Sequence, residues 1–349
     1  SVMDQANFTK TPNIKVIGVG GGGNNTINFL KESGHCPDVM MYALNTDEQA
    51  LRNCKADVTL PIGKTITRGL GAGSDPEVGR RAAEESREEI EKILENTDIV
   101  FVASGMGGGT GTGAAPEVAK YARDKGILTF AISTTPFVFE GAMRFHLALD
   151  GVKKLKANSD VCLIISNQNL IESHGDVYVE ESFSLPDSVM ETTISGLIEL
   201  LTAHSQYGRN LDLNHLYNTL QNAGLALVSQ AKVSDREKSS AQNFVQAIAN
   251  AANSEMLQVS VRGAHEFILL FRASNELSLE ECQMIPQTVL QRLLGYDNFS
   301  IQQIPMLTDT DSTDVEVTLV ATKFDNVDET FNRAMANSAK SFPVSSELM

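Results

Sequence analysis

The sequence predicts an α/β protein: a Rossmann-like, doubly wound parallel sheet, joined by a long central helix to a smaller α+β domain. Short apolar runs alternate with helix-like segments in the first half, and a long amphipathic segment follows them. The last third then mixes strands and helices. The 349 residues suffice for two domains. We expect them at 1–186 and 211–325, with the connecting helix and loop at 187–210 and a polar tail at 326–349.

Five near-continuous apolar runs predict the strands of the first domain. Such runs are typical of strands that are buried on both faces of a parallel sheet. They lie at 14–19, 39–44, 98–104, 127–133 and 161–166.

Proline and apolar periodicity predict the helices between these strands. Segment 75–96 has Pro76 near its start, and segment 114–126 has Pro116 in its expected first turn. The central helix is expected from about Asp187 to Ala203. Its apolar residues share one face and are Val189, Ile194, Leu197, Ile198 and Leu201.

The last third predicts a helix at 240–252, a strand at 267–273, a helix at 277–295, and strands at 299–306 and 315–324. The final strand alternates along its length, so at least one face of its sheet is covered. After it the chain becomes polar, which favours a short helix or a frayed tail.

Composition excludes some classes of protein. A net charge of −16 disfavours a nucleic-acid binder, which needs clustered basic residues. The four cysteines and six histidines lack metal-ligand spacing, so the cysteines are expected to be free thiols and any metal ligands are unknown. The start of the chain is polar, and no apolar run approaches the ~20 residues of a membrane helix. We therefore expect a cytoplasmic protein.

A first glycine run follows the first strand, in "KVIGVGGGGNN" (15–25). Gly18, Gly20 and Gly23 satisfy the dinucleotide pattern G-x-G-x-x-G, which is weak evidence alone. A dehydrogenase would also place an acidic residue after the second strand, and Asp47 stands there. This unit alone therefore leaves an NAD-dependent oxidoreductase open.

A second glycine run, "SGMGGGTGTGAAP" (104–116), favours a different ligand. It contains six glycines and two threonines between a buried strand and a helix that is expected to start near Thr112. Backbone amides and a helix N-terminus can hold anions there. Two such loops at one sheet edge predict a site for several phosphates in a row, with a third loop at 69–79. No G-K-[ST] directly follows a glycine run, so the Walker A motif is missing. Backbone amides, hydroxyls, helix ends and a divalent cation must therefore balance the phosphate charge.

These motifs carry a family resemblance. "GGGTGTG" (107–113) resembles the tubulin-superfamily signature. "ALNTDEQAL" (43–51), "GAGSDP" (71–76) and "FEGAMR" (139–144) resemble bacterial and archaeal FtsZ rather than eukaryotic tubulin. The resemblance runs from about Ile14 to Asp325. It implies a tubulin/FtsZ fold whose C-terminal domain activates a GTPase, with GTP or GDP and Mg²⁺ bound. It also implies self-assembly into head-to-tail filaments in cell division.

The resemblance assigns the nucleotide site residue by residue. Glu140 and Arg144 match E-G-x-x-R, for ribose and phosphate, and Pro136 is assigned beside them. Asn167 matches the asparagine of a P-N pair, although Ser166 replaces the proline. The glycine loops and the segments beside them contribute Gly21, Gly22, Gly23, Asn24, Asn25, Asp47, Gly71, Ala72, Gly73, Gly107, Gly108, Gly109, Thr110, Gly111, Thr112 and Gly113.

Phe183 and Asp187, in "FSLPD", match the family's guanine-binding pair. A carboxylate can accept hydrogen bonds from guanine N1–H and N2–H together, whereas stacking on phenylalanine tolerates any base. An alternative is that Asp187 is simply an acidic residue at a helix N-terminus.

Hydrolysis in the family uses an N-x-D-x-x-D loop from the next subunit. Here the loop reads "NLDLNHL": Asn210 and Asp212 match, and His215 replaces the second acid. Hydrolysis that is slow or runs on Asp212 alone is one prediction. The alternative is a divergent paralogue that binds GTP and polymerises, or co-polymerises with another FtsZ, with little hydrolysis. An ordinary surface role for His215 also stays open.

The expected partners follow from the same resemblance. The main partner is a second copy of the chain, and no nucleic acid is expected. The ending "NSAKSFPVSSELM" does not resemble the family's membrane-anchor peptide, so any membrane contact would use unknown adaptors.

Overall fold

The computed structural model describes residues 11–174, 179–202, 213–340 and 342. Its strands are β1 Ile14–Val19, β2 Met40–Asn45, β3 Val58–Pro61, β4 Ile99–Gly105, β5 Leu128–Thr135, β6 Val161–Ser166, β7 Gly224–Val233, β8 Ala264–Ser274, β9 Ser300–Thr308 and β10 Val315–Phe324. Its helices are α1 Gly20–Ser33, α2 Glu48–Arg52, α3 Lys64–Thr67, α4 Pro76–Glu85, α5 Arg87–Ile93, α6 Thr110–Asp124, α7 Ala142–Ala157, α8 Asn167–His174, α9 Val179–Leu201, α10 Leu213–Leu220, α11 Ser240–Ala252, α12 Leu279–Leu294 and α13 Val327–Ala339, with a 3₁₀ turn at Val138–Glu140.

The described strands form one sheet in the order β3-β2-β1-β4-β5-β6-β7-β10-β8-β9. Strands β1 to β7 pair in parallel, β10 is antiparallel to β7 and β8, and β8 is parallel to β9. The predicted α/β class with a largely parallel sheet is therefore confirmed. Because β6 pairs with β7, the sheet continues into the C-terminal part, and the division into domains stays a prediction.

Two apolar layers cover the faces of this sheet. Val102 of β4 belongs to the layer that contains Val118 of α6, and Phe101 belongs to the opposite layer with Leu197 of α9. Successive side chains of a strand point to opposite faces, so both faces of β4 are buried. This double burial explains why the strands of the first half are nearly continuous apolar runs.

Two strands were not predicted. Strand β3 has only four residues and lies at the sheet edge, where Val58 and Thr59 are exposed. Strand β7 changes from buried to partly exposed residues along its length, so it lacks one clear periodicity.

Three predicted helix boundaries were wrong. The helix expected at 75–96 is two helices, with a break at Ser86, whose Oγ accepts a hydrogen bond from the Gly63 amide at 3.0 Å. Helix α6 begins at Thr110, so Pro116 is inside it, and α9 begins at Val179 rather than Asp187. Pro116 misled the prediction of α6, because a well-packed helix can tolerate the loss of the backbone hydrogen bond that an internal proline removes.

Part of the predicted polar tail forms helix α13, one of the two outcomes expected for this segment. Its Phe331, Ala334 and Met335 are buried in the same layer as α6 and α7. The helix therefore belongs to the folded body of the chain.

Candidate functional site

A cleft of about 360 Å³ opens at the carboxyl ends of β1, β4, β5 and β6. It lies where the strand order reverses between β1 and β4, the usual ligand position in doubly wound sheets. The site residues predicted from sequence that line it are Gly21, Gly22, Asn25, Gly108, Gly109, Thr110, Gly111, Pro136, Glu140, Arg144, Asn167 and Asp187.

Two helix N-termini form one wall of the cleft. Gly21 and Gly22 lie in the first turn of α1, and Thr110 and Gly111 begin α6. The first amides of a helix have no intrahelical acceptor, and the helix dipole makes this end positive. The wall is therefore suited to bind an anion such as a phosphate.

Some glycines of the two runs leave open space at the cleft, and others allow close packing of the backbone. A Cβ on Gly21 or Gly108 would meet no atom within 4 Å, so these residues leave open space at the cleft. A Cβ on Gly23 would lie 2.4 Å from the Ala103 carbonyl oxygen, and one on Gly113 would lie 1.8 Å from that of Pro76. Gly23 and Gly113 therefore allow close packing, and the structure does not bring them to the cleft.

Hydrogen bonds between residues behind the wall hold it in place. The Thr46 and Thr110 hydroxyl oxygens lie 2.6 Å apart, and Thr112 Oγ1 accepts a hydrogen bond from the Gly107 amide at 2.7 Å. Buried Asn24 donates to the Gly18 and Leu44 carbonyls, which joins α1 to β2. Asn24, Gly107 and Thr112 do not line the cleft.

The third loop lies one layer further out. Asp47 is the N-cap of α2 and accepts from the Gln49 and Ala50 amides at 2.9 and 3.3 Å. The Gly71 amide donates to the Thr46 carbonyl, and Ala72 packs under Gly109. Asp47, Gly71, Ala72 and Gly73 are not among the lining residues.

The opposite wall carries the charged side chains. Glu140 accepts from Arg144 Nη1 at 3.0 Å and from the Phe137 amide at 2.8 Å. Asn167 is 9% exposed, and its Oδ1 has no partner among the described residues. A buried acceptor without a partner is costly, so this oxygen suits a ligand donor.

Asp187 of α9 lines the cleft beside the second turn of α1. Thr26 Oγ1 donates to its Oδ1 at 3.3 Å, and burial raises the pKa of Asp187 to about 6, partly offset by that bond. Asp187 lies well inside α9, which begins at Val179. The alternative that Asp187 is an acidic residue at a helix N-terminus is therefore wrong.

The cleft contains little positive charge. Arg144 is the one cationic side chain that lines it within the described part of the chain, and it pairs with Glu140. The same part holds no group of three His, Cys, Asp or Glu residues that could bind a metal. A polyanion would therefore depend on backbone amides, helix ends and a cation held largely by its own oxygens.

Four further predicted residues are not among those that line the cleft. Asn210 and Asp212 lie outside the described residues, as does the side chain of Phe183. His215 is an exposed residue of α10.

Six lining residues were not predicted: Gly105, Met106, Thr134, Phe137, Pro186 and Met190. Gly105 and Met106 lie within the second glycine run (104–116), and Thr134 and Phe137 stand within two residues of Pro136, so attention to whole segments rather than to motif positions would have found them. Pro186 and Met190 stand one residue before and three after Asp187, and that helical spacing was the available signal.

Across the described ranges, every helix is too short or too polar to cross a membrane.

Comparison with known proteins gives a consistent result. The model of the Tubulin/FtsZ family GTPase domain matches residues 13–175. Cell division protein FtsZ of Mycoplasmopsis pulmonis is 41% identical over 280 residues, which cover 80% of this chain and 70% of that protein. Cell division protein FtsZ 1 of Methanocaldococcus jannaschii is 39% identical over 280 residues, with 80% and 75% covered.

Solved structures are similar as well. An empty FtsZ dimer of M. jannaschii is 36% identical, with 92% of this chain and 90% of that chain covered and a TM-score of 0.80. CetZ2 from Haloferax volcanii, solved as a GTPγS-bound protofilament, is 18% identical with a TM-score of 0.74, covering 94% of this chain and 99% of that one. At that identity CetZ2 supports the fold alone.

Proposed function

The chain belongs to the Tubulin/FtsZ family, and on that premise we propose that it binds GTP in the cleft and assembles into head-to-tail filaments in cell division. The observation that carries the proposal is one cleft that joins two helix N-termini to a buried carboxylate, Asp187. This arrangement suits a ligand with phosphates at one end and paired N–H donors at the other.

The helix N-termini of α1 and α6 would hold the phosphates, with Thr110 donating from its hydroxyl. Mg²⁺ would be bound mainly by phosphate oxygens and water, and it would neutralise phosphate charge. Glu140 and Arg144 would bind the ribose and the phosphate, and Arg144 would exchange part of its bond to Glu140 for the ligand.

Asp187 would select guanine. Its carboxylate can accept from N1–H and N2–H of guanine, and adenine offers no such pair of donors. Thr26 holds Oδ1 of this carboxylate. Phe183 would stack on the base, as the family resemblance implies.

Exposed apolar side chains beside the cleft support self-association. Leu70, Phe139 and Met143 are 83%, 61% and 79% exposed, and Phe139 and Met143 flank the cleft residue Glu140. Apolar residues that surround a functional cleft favour a protein partner. We propose a second copy of the chain, since the related M. jannaschii FtsZ was solved as a dimer.

Hydrolysis would be completed between subunits. Asn210 and Asp212 of the next copy would orient the attacking water beside the γ-phosphate, because the two carboxylates among the described lining residues, Glu140 and Asp187, are assigned to Arg144 with the ribose and to the base. Binding and assembly with little hydrolysis, possible since His215 replaces an acid, is the second candidate.

Sedimentation tests the proposal. GTP should drive the chain into pelletable filaments, and GDP should not. Asp212→Ala should lower phosphate release and spare GTP binding, whereas His215→Asp should raise phosphate release strongly if the second candidate holds. Absence of GTP binding would contradict the proposed ligand of the cleft. Unchanged phosphate release in Asp212→Ala would contradict the proposed role of Asp212 in hydrolysis.

A further inference from the structure

Gln168 is not a lining residue, but it connects α8 to the 3₁₀ turn on the opposite wall of the cleft, the wall that carries Glu140. It is the second residue of α8, directly after the lining residue Asn167. Its Oε1 accepts a hydrogen bond from the Val138 amide at 2.9 Å, and its Nε2 donates to Glu172 Oε1 at 3.1 Å. One side chain therefore joins the helix that carries Asn167 to the turn that carries Glu140.

The turn Val138–Glu140 depends on bonds from outside its own backbone. The backbone amide of Phe137, the residue before the turn, donates to Glu140 Oε2 at 2.8 Å. The backbone amide of Val138, the first residue of the turn, donates to Gln168 Oε1. The turn ends at Gly141, whose φ of 96° gives the chain a sharp change of direction. A turn of three residues has few internal backbone bonds, so these two side-chain hydrogen bonds add substantially to the two that its own backbone makes.

The two bonds have different consequences. Glu140 lies within the same loop, so its bond to Phe137 does not fix where the loop lies. Gln168 belongs to another element, and among the described hydrogen bonds its contact is the side-chain link between α8 and the turn. The hydrogen bond from Gln168 Nε2 to Glu172 joins two residues of α8 and does not reach the turn.

We infer that Gln168 is a positioning residue for guanine-nucleotide binding: it holds the Phe137–Glu140 segment at the distance from Asn167 that the ligand requires. This inference rests on the proposed function of the cleft. Without the bond, the ligand would have to order the turn itself, and affinity would fall. The loss should affect ground state and transition state alike, because the turn binds rather than reacts.

The test compares three variants in the full chain. Gln168→Met keeps the length of the side chain and removes its acceptor. Glu172→Ala keeps that acceptor and removes only the neighbouring contact. The exchanged pair Gln168→Glu with Glu172→Gln restores an acceptor oxygen without placing two carboxylates together. Fluorescent GDP binding is measured below the concentration at which the chain assembles.

Gln168→Met should weaken GDP binding about two- to tenfold, the range of one neutral hydrogen bond. It should raise KM for GTP and leave kcat unchanged. Glu172→Ala and the exchanged pair should stay within about twofold of the wild type. Wild-type affinity in Gln168→Met, or an equal loss in Glu172→Ala, would overturn the inference.

A second readout does not depend on nucleotide. In the ligand-free chain, amide hydrogen exchange at 137–141 should be faster in Gln168→Met and unchanged in Glu172→Ala. Unchanged exchange in Gln168→Met would overturn the positioning role even if GDP binds. If the wild type binds no GDP, the proposed function fails, and exchange alone decides whether Gln168 positions the turn.

Discussion

The Thr46 and Thr110 hydroxyl oxygens lie 2.6 Å apart and form a hydrogen bond. Thr110 lines the cleft, and Thr46 is buried behind it. Thr46 is 1% exposed, and its carbonyl also accepts from Thr67 Oγ1 and the Gly71 amide. Thr46 therefore connects the end of β2, the N-terminus of α6 and the third glycine loop.

Thr46→Val should lower the free energy of unfolding of the nucleotide-free chain by about 1 kcal/mol, since it removes this bond at similar volume. Urea unfolding measures the change. Thr46→Ser keeps the hydroxyl and is the control. A Thr46→Val chain as stable as the wild type would show that the bond contributes nothing.

Gly108→Ala should separate binding from folding. The added methyl group meets no protein atom within 4 Å but occupies space in the cleft, so stability should be retained and GDP affinity should fall by about tenfold or more. Gly113→Ala should instead destabilise the fold by at least about 1–3 kcal/mol, because its Cβ would overlap the Pro76 carbonyl. Equal behaviour of the two variants would contradict the division of the glycines.

Nucleotide affinity should depend on the protonation of Asp187. Burial raises its pKa to about 6 in the empty cleft, and only the ionised carboxylate accepts both guanine donors. The affinity for GDP should therefore rise with pH and level off above about 6, falling by up to tenfold per pH unit well below it. Titration calorimetry between pH 5 and 8 measures this. Asp187→Asn should bind weakly and show a shallower pH dependence; the part that remains comes from the terminal phosphate of GDP, which itself titrates at about pH 6. A slope as steep as that of the wild type would exclude Asp187 as a source.

Glu266 should make the C-terminal strands less stable as the pH rises from acidic to neutral. It is 4% exposed, and burial raises its pKa to about 7, which a hydrogen bond from Gln302 and the charge of Lys323 partly offset. A pKa above the unfolded value means that the group stabilises the fold at low pH and that this contribution is lost as pH rises through 7. The loss takes place between the unfolded value of 4.5 and the folded value of about 7, so Glu266→Gln should gain in melting temperature over the wild type across that range and gain little more above about pH 8. A constant difference between the two would contradict the raised pKa.

The sequence predicted the cleft better than it predicted the role of each residue in it. The glycine runs follow β1 and β4, and parallel neighbours end at one edge, so both runs had to meet there. The pattern could not show that Gly113 packs against Pro76, because that contact joins two helices distant along the chain. Motif matching therefore grouped packing glycines with cleft glycines.

Other contributions depend on where a helix lies rather than on a motif. Met190 lines the cleft because α9 passes beside α1, where Thr26 Oγ1 lies 3.6 Å from the Met190 sulfur. Gln168 reaches Val138 only because α8 lies next to the 3₁₀ turn. Side-chain contacts between such elements are set by tertiary packing, which a local pattern does not contain.

The most direct test of the account measures GTP turnover per subunit against protein concentration. If a neighbouring copy completes the site, the rate per subunit should rise steeply with concentration and then level off. Met143→Asp, on the exposed apolar surface beside the cleft, should abolish the rise, whereas Val245→Asp, at a 42% exposed position on α11, should retain it. A rate per subunit that is independent of concentration would contradict a site completed between subunits.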